Sequence, residues 1–154
     1  NVRVGYGPIT VIKGLDLDLA PGEVVAVTGS NGSGKSTLLR GLAGFQPMEC
    51  SSFTISGQPA APDSDLHRDV TYAVMDEWMW LRGMTVRDHF EVFHEESSLC
   101  DPEQALTEFG VLNLADRMPH SLSSGQLRRV TLASLLVRPW RILFIDEPEQ
   151  RLDE

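Results

Sequence analysis

Nine consecutive residues restrict this chain more than any others: Gly29-Ser30-Asn31-Gly32-Ser33-Gly34-Lys35-Ser36-Thr37. Their spacing is G-x-x-x-x-G-K-[ST]. Gly29, Gly32 and Gly34 carry no Cβ, so the backbone can take left-handed angles and several N–H groups can converge on one anion. The residues that follow, Ser36 to Ala43, read as a helix whose first N–H groups are unpaired and face the loop. Such a nest suits phosphate groups. Lys35 adds a point charge for the β- and γ-phosphates of a nucleotide, and the Ser36 hydroxyl suits Mg²⁺. Before the loop, Glu23-Val24-Val25-Ala26-Val27-Thr28 holds an unbroken apolar run and predicts a buried parallel strand. Strand, glycine loop and helix form the context this spacing requires. A chance Gly/Ser turn would need neither the strand nor the lysine. The chain has only two lysines, Lys13 and Lys35, and one stands at the required position.

At 154 residues the chain is long enough for one domain with a true core. No apolar run approaches the roughly 18 residues of a membrane span, and no signal-peptide pattern is present. The chain begins at Asn1 without Met, so the gene is expected to start earlier. Cys50 and Cys100 lack metal-type spacing and read as thiols of a cytosolic protein. The formal net charge of −9 argues against a nucleic-acid partner, which favours a basic face.

In chain order, Val2–Tyr6 reads as a short strand and Leu15-Asp16-Leu17-Asp18-Leu19, alternating strictly, as a half-exposed antiparallel one. Phe53-Thr54-Ile55 with Ser56-Gly57 reads as a strand and turn, and Val70–Val74 as a second buried strand. The texture then turns helical. Thr85 caps a helix with Val86, Phe90 and Phe93 on one face. Asp101-Pro102 opens another that Gly110 ends, and Ser123-Ser124-Gly125-Gln126 opens a third that Arg138-Pro139 stops. Ile142–Ile145 is a third buried strand, ending in Asp146-Glu147-Pro148. Strands on both sides of a helical middle predict an α/β fold. An acid at the carboxyl end of a buried parallel strand faces a ligand crevice. Asp146 is therefore expected to hold Mg²⁺ through water, and Glu147 to orient or deprotonate an attacking water. A plain strand-ending turn is the other reading of Asp-Glu-Pro.

Four blocks in order, Gly29–Thr37, Leu122-Ser123-Ser124-Gly125-Gln126, Ile142–Glu147 and Leu152-Asp153, resemble the ATP-binding cassette (ABC) ATPases. The resemblance covers essentially the whole chain. The pentapeptide, about twenty residues before the acidic strand, is its most specific part. It implies a P-loop NTPase core with a mostly parallel sheet, an N-terminal antiparallel β part and an inserted helical subdomain. Residues 1–74 and 138–154 would form the core and about 75–137 the insertion, in one domain incomplete at its C-terminus.

The resemblance also implies an ATPase that binds MgATP and pairs head to tail with a second cassette, the same or a different chain. Gly29, Ser30, Asn31, Gly32, Ser33, Gly34, Lys35, Ser36 and Thr37 would hold the nucleotide's phosphates, with Lys35 and Glu147 catalytic and Ser36 and Asp146 on the metal. Ser123, Ser124, Gly125 and Gln126 would close on the partner's ATP, where a helix N-terminus offers donors to a γ-phosphate. Tyr6 would stack on adenine; an ordinary strand-end tyrosine is its other reading. A transmembrane permease would hold the cassette at the inner face of the membrane from the cytoplasm, docking around Trp78-Met79-Trp80-Leu81. Subdomain core is the other reading of that apolar knot.

The chain departs from the family pattern in three places. Met75 stands where a Gln is usual, and a thioether ligates Mg²⁺ poorly, so that contact is lost or passes to Asp76. Ser124 replaces a Gly of the pentapeptide. Glu149-Gln150-Arg151 replaces small or hydroxyl residues on the expected dimer seam. The family's switch histidine lies on a strand after Asp146, so none of His67, His89, His94 and His120 is it, and the sequence is expected to be a truncated or incomplete piece of the domain. Two rival functions stay open: a soluble ABC ATPase of chromosomes, repair or ribosomes, and a degenerate cassette that binds nucleotide as a regulatory switch. A chromosomal or repair member would carry a long coiled coil between loop and pentapeptide, for which Met75 to Leu122 has no room.

Overall fold

The computed structural model describes residues 1–7, 9–75 and 80–150. They fall into two compact units, Asn1–Ala73 and Val74–Glu154.

The first unit is built on a three-stranded antiparallel sheet. β1 (Val2–Tyr6) lies between β2 (Ile9–Leu15) and β3 (Met48–Cys50). Alternation places Val2 and Val4 on the buried face and Arg3 on the exposed one. Against that face lies α1 (Lys35–Leu42), which buries Leu38 and Leu42. Its approach depends on Gly41: a Cβ there would sit 2.8 Å from Val4 Cγ1. Burying each such aliphatic side chain is worth about 1.5–3 kcal/mol. β4 (Thr54–Ile55) and β5 (Gln58–Pro59) form a hairpin whose turn residues, Ser56 and Gly57, both have positive φ, as the Ser-Gly pair predicts. A short helix, α2 (Asp65–Val70), is capped by the Ser64 side chain and buries His67, whose Nε2 lies 2.9 Å from the Leu42 carbonyl oxygen.

Two strand expectations fail in this unit. The partner of β1 is Ile9–Leu15 rather than Leu15–Leu19, because the register is consumed early: Tyr6 faces Ile9 and Val2 already faces Leu15. Residues 16–20 have no strand positions left to pair with on β1. The run Glu23–Thr28 is neither a strand nor buried, and Val24 is 93% exposed. Four apolar residues in a row form a parallel strand only with both edges paired and both faces covered. Among the described residues nothing supplies this.

The second unit is largely helical. It contains α3 (Val86–Phe93), α4 (Pro102–Glu108), α5 (Ser124–Ala133) and β7 (Ile142–Ile145). β6 (Thr71–Val74), found where Val70–Val74 predicts a strand, reaches it at Val74. The three capped starts are as predicted. Thr85 and Asp88 exchange side-chain and backbone hydrogen bonds in a complete capping box, as do Ser123 and Gln126. Asp101 caps α4 with Pro102 at its first position, and Gly110 turns the chain out at φ +65°. Val86, Phe90, Leu106, Val111, Val130 and Val137 then meet in one core, each at most 1% exposed. β7 is half-buried along its length rather than buried.

Candidate functional site

The glycine loop ends on a left-handed residue. Gly34 has φ +97° and is the residue before α1, so its carbonyl accepts from Leu38 N–H at 2.9 Å and starts the helix. Gly32 is left-handed too, at φ +78°. Inside the loop the Ser33 N–H donates to the Ser30 carbonyl at 3.1 Å. Lys35 Nζ folds back over the loop and donates to the Gly29 and Ser30 carbonyls, at 2.9 and 3.2 Å. The ammonium is thus held over the loop by two neutral carbonyl oxygens, with a third N–H donor left for an incoming anion. Ser36 lies half-buried on the first turn of α1.

Behind the loop, a Cβ on Gly34 would stand 2.6 Å from Val11 Cγ1 and 3.0 Å from Ile12 Cδ1. The β2 strand thus presses directly on the loop. Thr37, buried on α1, donates its hydroxyl to the Tyr6 oxygen at 3.4 Å. Tyr6 is 56% exposed, so most of its ring is open to solvent beside the loop. The structure therefore gathers Tyr6, Lys35, Ser36 and Thr37 in the first unit.

The other candidates lie in the second unit. Ser123 caps α5, its oxygen accepting from Gln126 N–H at 3.3 Å while Gln126 Oε1 accepts from Ser123 N–H at 3.1 Å. Ser123 is exposed at the helix start, and Gly125 is buried beneath it. Asp146 is 5% exposed and its N–H donates to the Val74 carbonyl at 2.9 Å, which fixes the carboxyl end of β7. Glu147 follows with φ +45°, in the left-handed region that disfavours a side chain. Its carboxylate Oε2 accepts from Gln150 Nε2 at 2.7 Å, and its carbonyl from Gln150 N–H at 3.1 Å. Gln150 is exposed and bonds back to Glu147, while Arg151, Leu152 and Asp153 lie outside the described residues.

Sequence reasoning missed Arg128, two residues after Gln126. Its Nη2 donates to the carbonyls of both Asp146 and Glu147, at 2.7 and 2.5 Å. An Arg-Arg pair on a polar helix reads as solvated charge, and no spacing rule ties it to a strand eighteen residues on. Met75 is 5% exposed, a packed core residue. Of the proposed docking knot, Trp78 and Met79, like Asp76, lie outside the described residues. Of the two described residues, Trp80 packs edge-on to His89 with ring centroids 4.9 Å apart, and Leu81 is well exposed, at 59%. Among the described residues no helix is long and apolar enough to cross a membrane.

The family model of the ABC transporter matches residues 12–150. An aliphatic sulfonates import ATP-binding protein of Pseudomonas fluorescens is 38% identical over 93% of this chain and 51% of its own length. A sulfate/thiosulfate import ATP-binding protein of Thermosynechococcus vestitus is 33% identical over 99% of this chain and 47% of its own. The chain thus spans about half the length of the curated relatives it matches. A Pyrococcus furiosus structure described as an ABC transporter ATP-binding protein superposes with a TM-score of 0.73 at 25% identity, over 96% of this chain and 75% of that one. An ATP-binding subunit of an ABC transporter gives 0.77 at 23% identity, over 97% and 67%, and supports the fold alone. A left-handed glycine loop with its lysine, a capped pentapeptide helix, an acid at a strand's end and a family match over nearly the whole chain agree: this chain belongs to the ABC transporter family, as part of its nucleotide-binding domain.

Proposed function

We propose that the protein of which this chain is part binds MgATP, pairs with a second cassette around two nucleotides, hydrolyses the β–γ bond and drives import through a separate membrane permease. The observation that carries the reading is the loop geometry, in which Gly32 and Gly34 are left-handed and Lys35 Nζ rests on the Gly29 and Ser30 carbonyls. Such a loop has its charge and N–H groups organised before an anion arrives, so little ordering remains to be done on binding. Tyr6, with its ring exposed beside Thr37, stacks on the base. Ser123, Ser124, Gly125 and Gln126 serve the partner cassette's nucleotide through the α5 N-terminus.

Ser36 and Asp146 would hold Mg²⁺, a hydroxyl and a carboxylate being the hard oxygen donors that ion takes. When bound, that ion would offset the negative charge that develops on the phosphates. Among the described residues no three of His, Cys, Asp and Glu group to hold a metal by themselves. An ion that arrives with its nucleotide needs fewer protein ligands. Glu147 orients the attacking water and takes its proton. The relatives' names speak of import, which supports that direction; cargo is selected on the permease side, and the cassette works from the cytoplasmic face of the membrane.

Two substitutions in the full-length protein test this. Lys35→Ala should abolish tight ATP binding, and Glu147→Gln should leave binding intact while an ATP-bound dimer accumulates in size-exclusion runs. A Lys35→Ala protein hydrolysing at the wild-type rate would sink the proposal. A second reading, a nucleotide-operated switch with slow chemistry, is favoured by Met75, whose buried thioether replaces a Mg²⁺-sensing amide. It requires that wild-type turnover already match that of Glu147→Gln.

A further inference from the structure

We propose that Arg128 is a positioning residue for Glu147, tying the helix that begins at Ser123 to the group that handles water. The inference rests on the role given to Glu147 above.

Arg128 sits five residues after Ser123 on α5, within the first turn and a half of the helix. Its Nη2 is shared between two successive carbonyls, Asp146 at 2.7 Å and Glu147 at 2.5 Å. Hydrogen bonds from a cationic donor are about twice as strong as neutral ones. Two of them on adjacent peptide units fix the torsions between the units. Those torsions belong to Glu147, whose φ of +45° is one a glutamate does not choose unaided. The clamp therefore holds Glu147 in a backbone state that the side chain disfavours, and that state sets where its carboxylate points.

Packing gives no reason for an arginine here. Arg128 Nε is buried and has no hydrogen-bond partner among the described residues. An apolar residue at this position would leave no such donor stranded, and removing an unmet buried donor favours stability. What the arginine supplies that a leucine would not is the pair of bonds to the Asp146–Glu147 link. The bonds also join two functional ends of one unit: the exposed cap Ser123, offered to the partner's nucleotide, and Glu147, which acts on the chain's own. A small rotation of α5 when Ser123 engages a phosphate moves the guanidinium, and the two carbonyls move with it.

The test is a double-substitution cycle in the full-length protein, reading the single-turnover rate of ATP hydrolysis and the nucleotide Kd separately. Arg128→Ala should lower the rate at least tenfold with the Kd for ATP changed less than twofold. Arg128→Lys, which keeps a cationic donor, should recover part of the loss. In a Glu147→Gln background Arg128→Ala should cost nothing more, since the group it positions is already disabled. A further tenfold loss in that background would show Arg128 acting independently of Glu147 and overturn the proposal. A normal rate for Arg128→Ala beside an inactive Glu147→Gln protein would overturn it while leaving Glu147's role intact. A fully active Glu147→Gln protein would instead overturn the role of Glu147 itself. Should Arg128→Ala fail to fold, Arg128→Gln, a shorter neutral donor, is carried through the same cycle with the same expectations.

Discussion

Replacing Gly34 with alanine perturbs the loop in two separable ways. The first is conformational: at φ +97° an L-residue bears a left-handed penalty of about 1–2 kcal/mol. The second is steric, since the new Cβ would stand 2.6 Å from Val11 Cγ1 and 3.0 Å from Ile12 Cδ1. Valine is stiff at χ1, so moving its methyl aside costs about 0.5–1.5 kcal/mol. Together these amount to about 1.5–3.5 kcal/mol. The free protein can relieve that strain by letting the loop leave its nest, and nucleotide binding must then restore it. At roughly 1.4 kcal/mol per decade the cost appears as about a 10- to 300-fold weaker Kd. The assay is equilibrium titration of the full-length protein with a fluorescent ATP analogue. Gly32→Ala is the control: its φ is +78° but nothing lies within 4 Å of its Cβ, so only the conformational part applies. It should weaken binding by about 5- to 30-fold. Val11 is 37% exposed, so Val11→Ala is itself mild and should recover a few-fold of affinity in the Gly34→Ala background. A Gly34→Ala protein within threefold of wild type would refute the reasoning. So would equal losses at Gly32 and Gly34 with no recovery from Val11→Ala.

Further outcomes follow from the second unit. Asp88 is held below its ordinary carboxylate pKa by the Thr85 backbone N–H and then by the Thr85 side chain, and Asp116 is held down by Arg87. A depressed folded-state pKa contributes stability above the unfolded value, near 3.8, that disappears as pH falls through the folded value. Urea midpoints of Asp88→Asn should therefore fall less steeply than wild type below about pH 4, and parallel curves would contradict this. Thr85→Ala removes the cap of α3 and should cost about 1 kcal/mol in urea unfolding at pH 7; no loss would mean the cap is dispensable. Phe90 is 0% exposed, and Phe90→Ala should cost about 3–5 kcal/mol in the same assay, with a loss under 1 kcal/mol arguing against the helical core described here.

Local chemistry was legible in the one-dimensional chain wherever the causal residues are neighbours. Thr85 with Asp88, Asp101 with Pro102 and Ser123 with Gln126 announce helix starts because a cap satisfies N–H groups two or three positions away. Gly32, Gly34 and Lys35 announce an anion nest because its geometry is set within one loop. The order of loop, pentapeptide and acidic strand was enough to identify the family before any coordinate was known. Strand pairing was not legible, since it depends on what lies alongside. The alternation Leu15–Leu19 looked like a strand, yet β1 had run out of residues at Val2, and Val24–Val27 looked buried without a neighbour to bury it. Tertiary structure alone decided that Gly34 is pressed by Val11, that Tyr6 meets Thr37, and that Arg128 reaches back to Asp146 and Glu147. These contacts join residues from eighteen to thirty-one positions apart, and no periodicity or cap encodes a distance that only the packed chain creates.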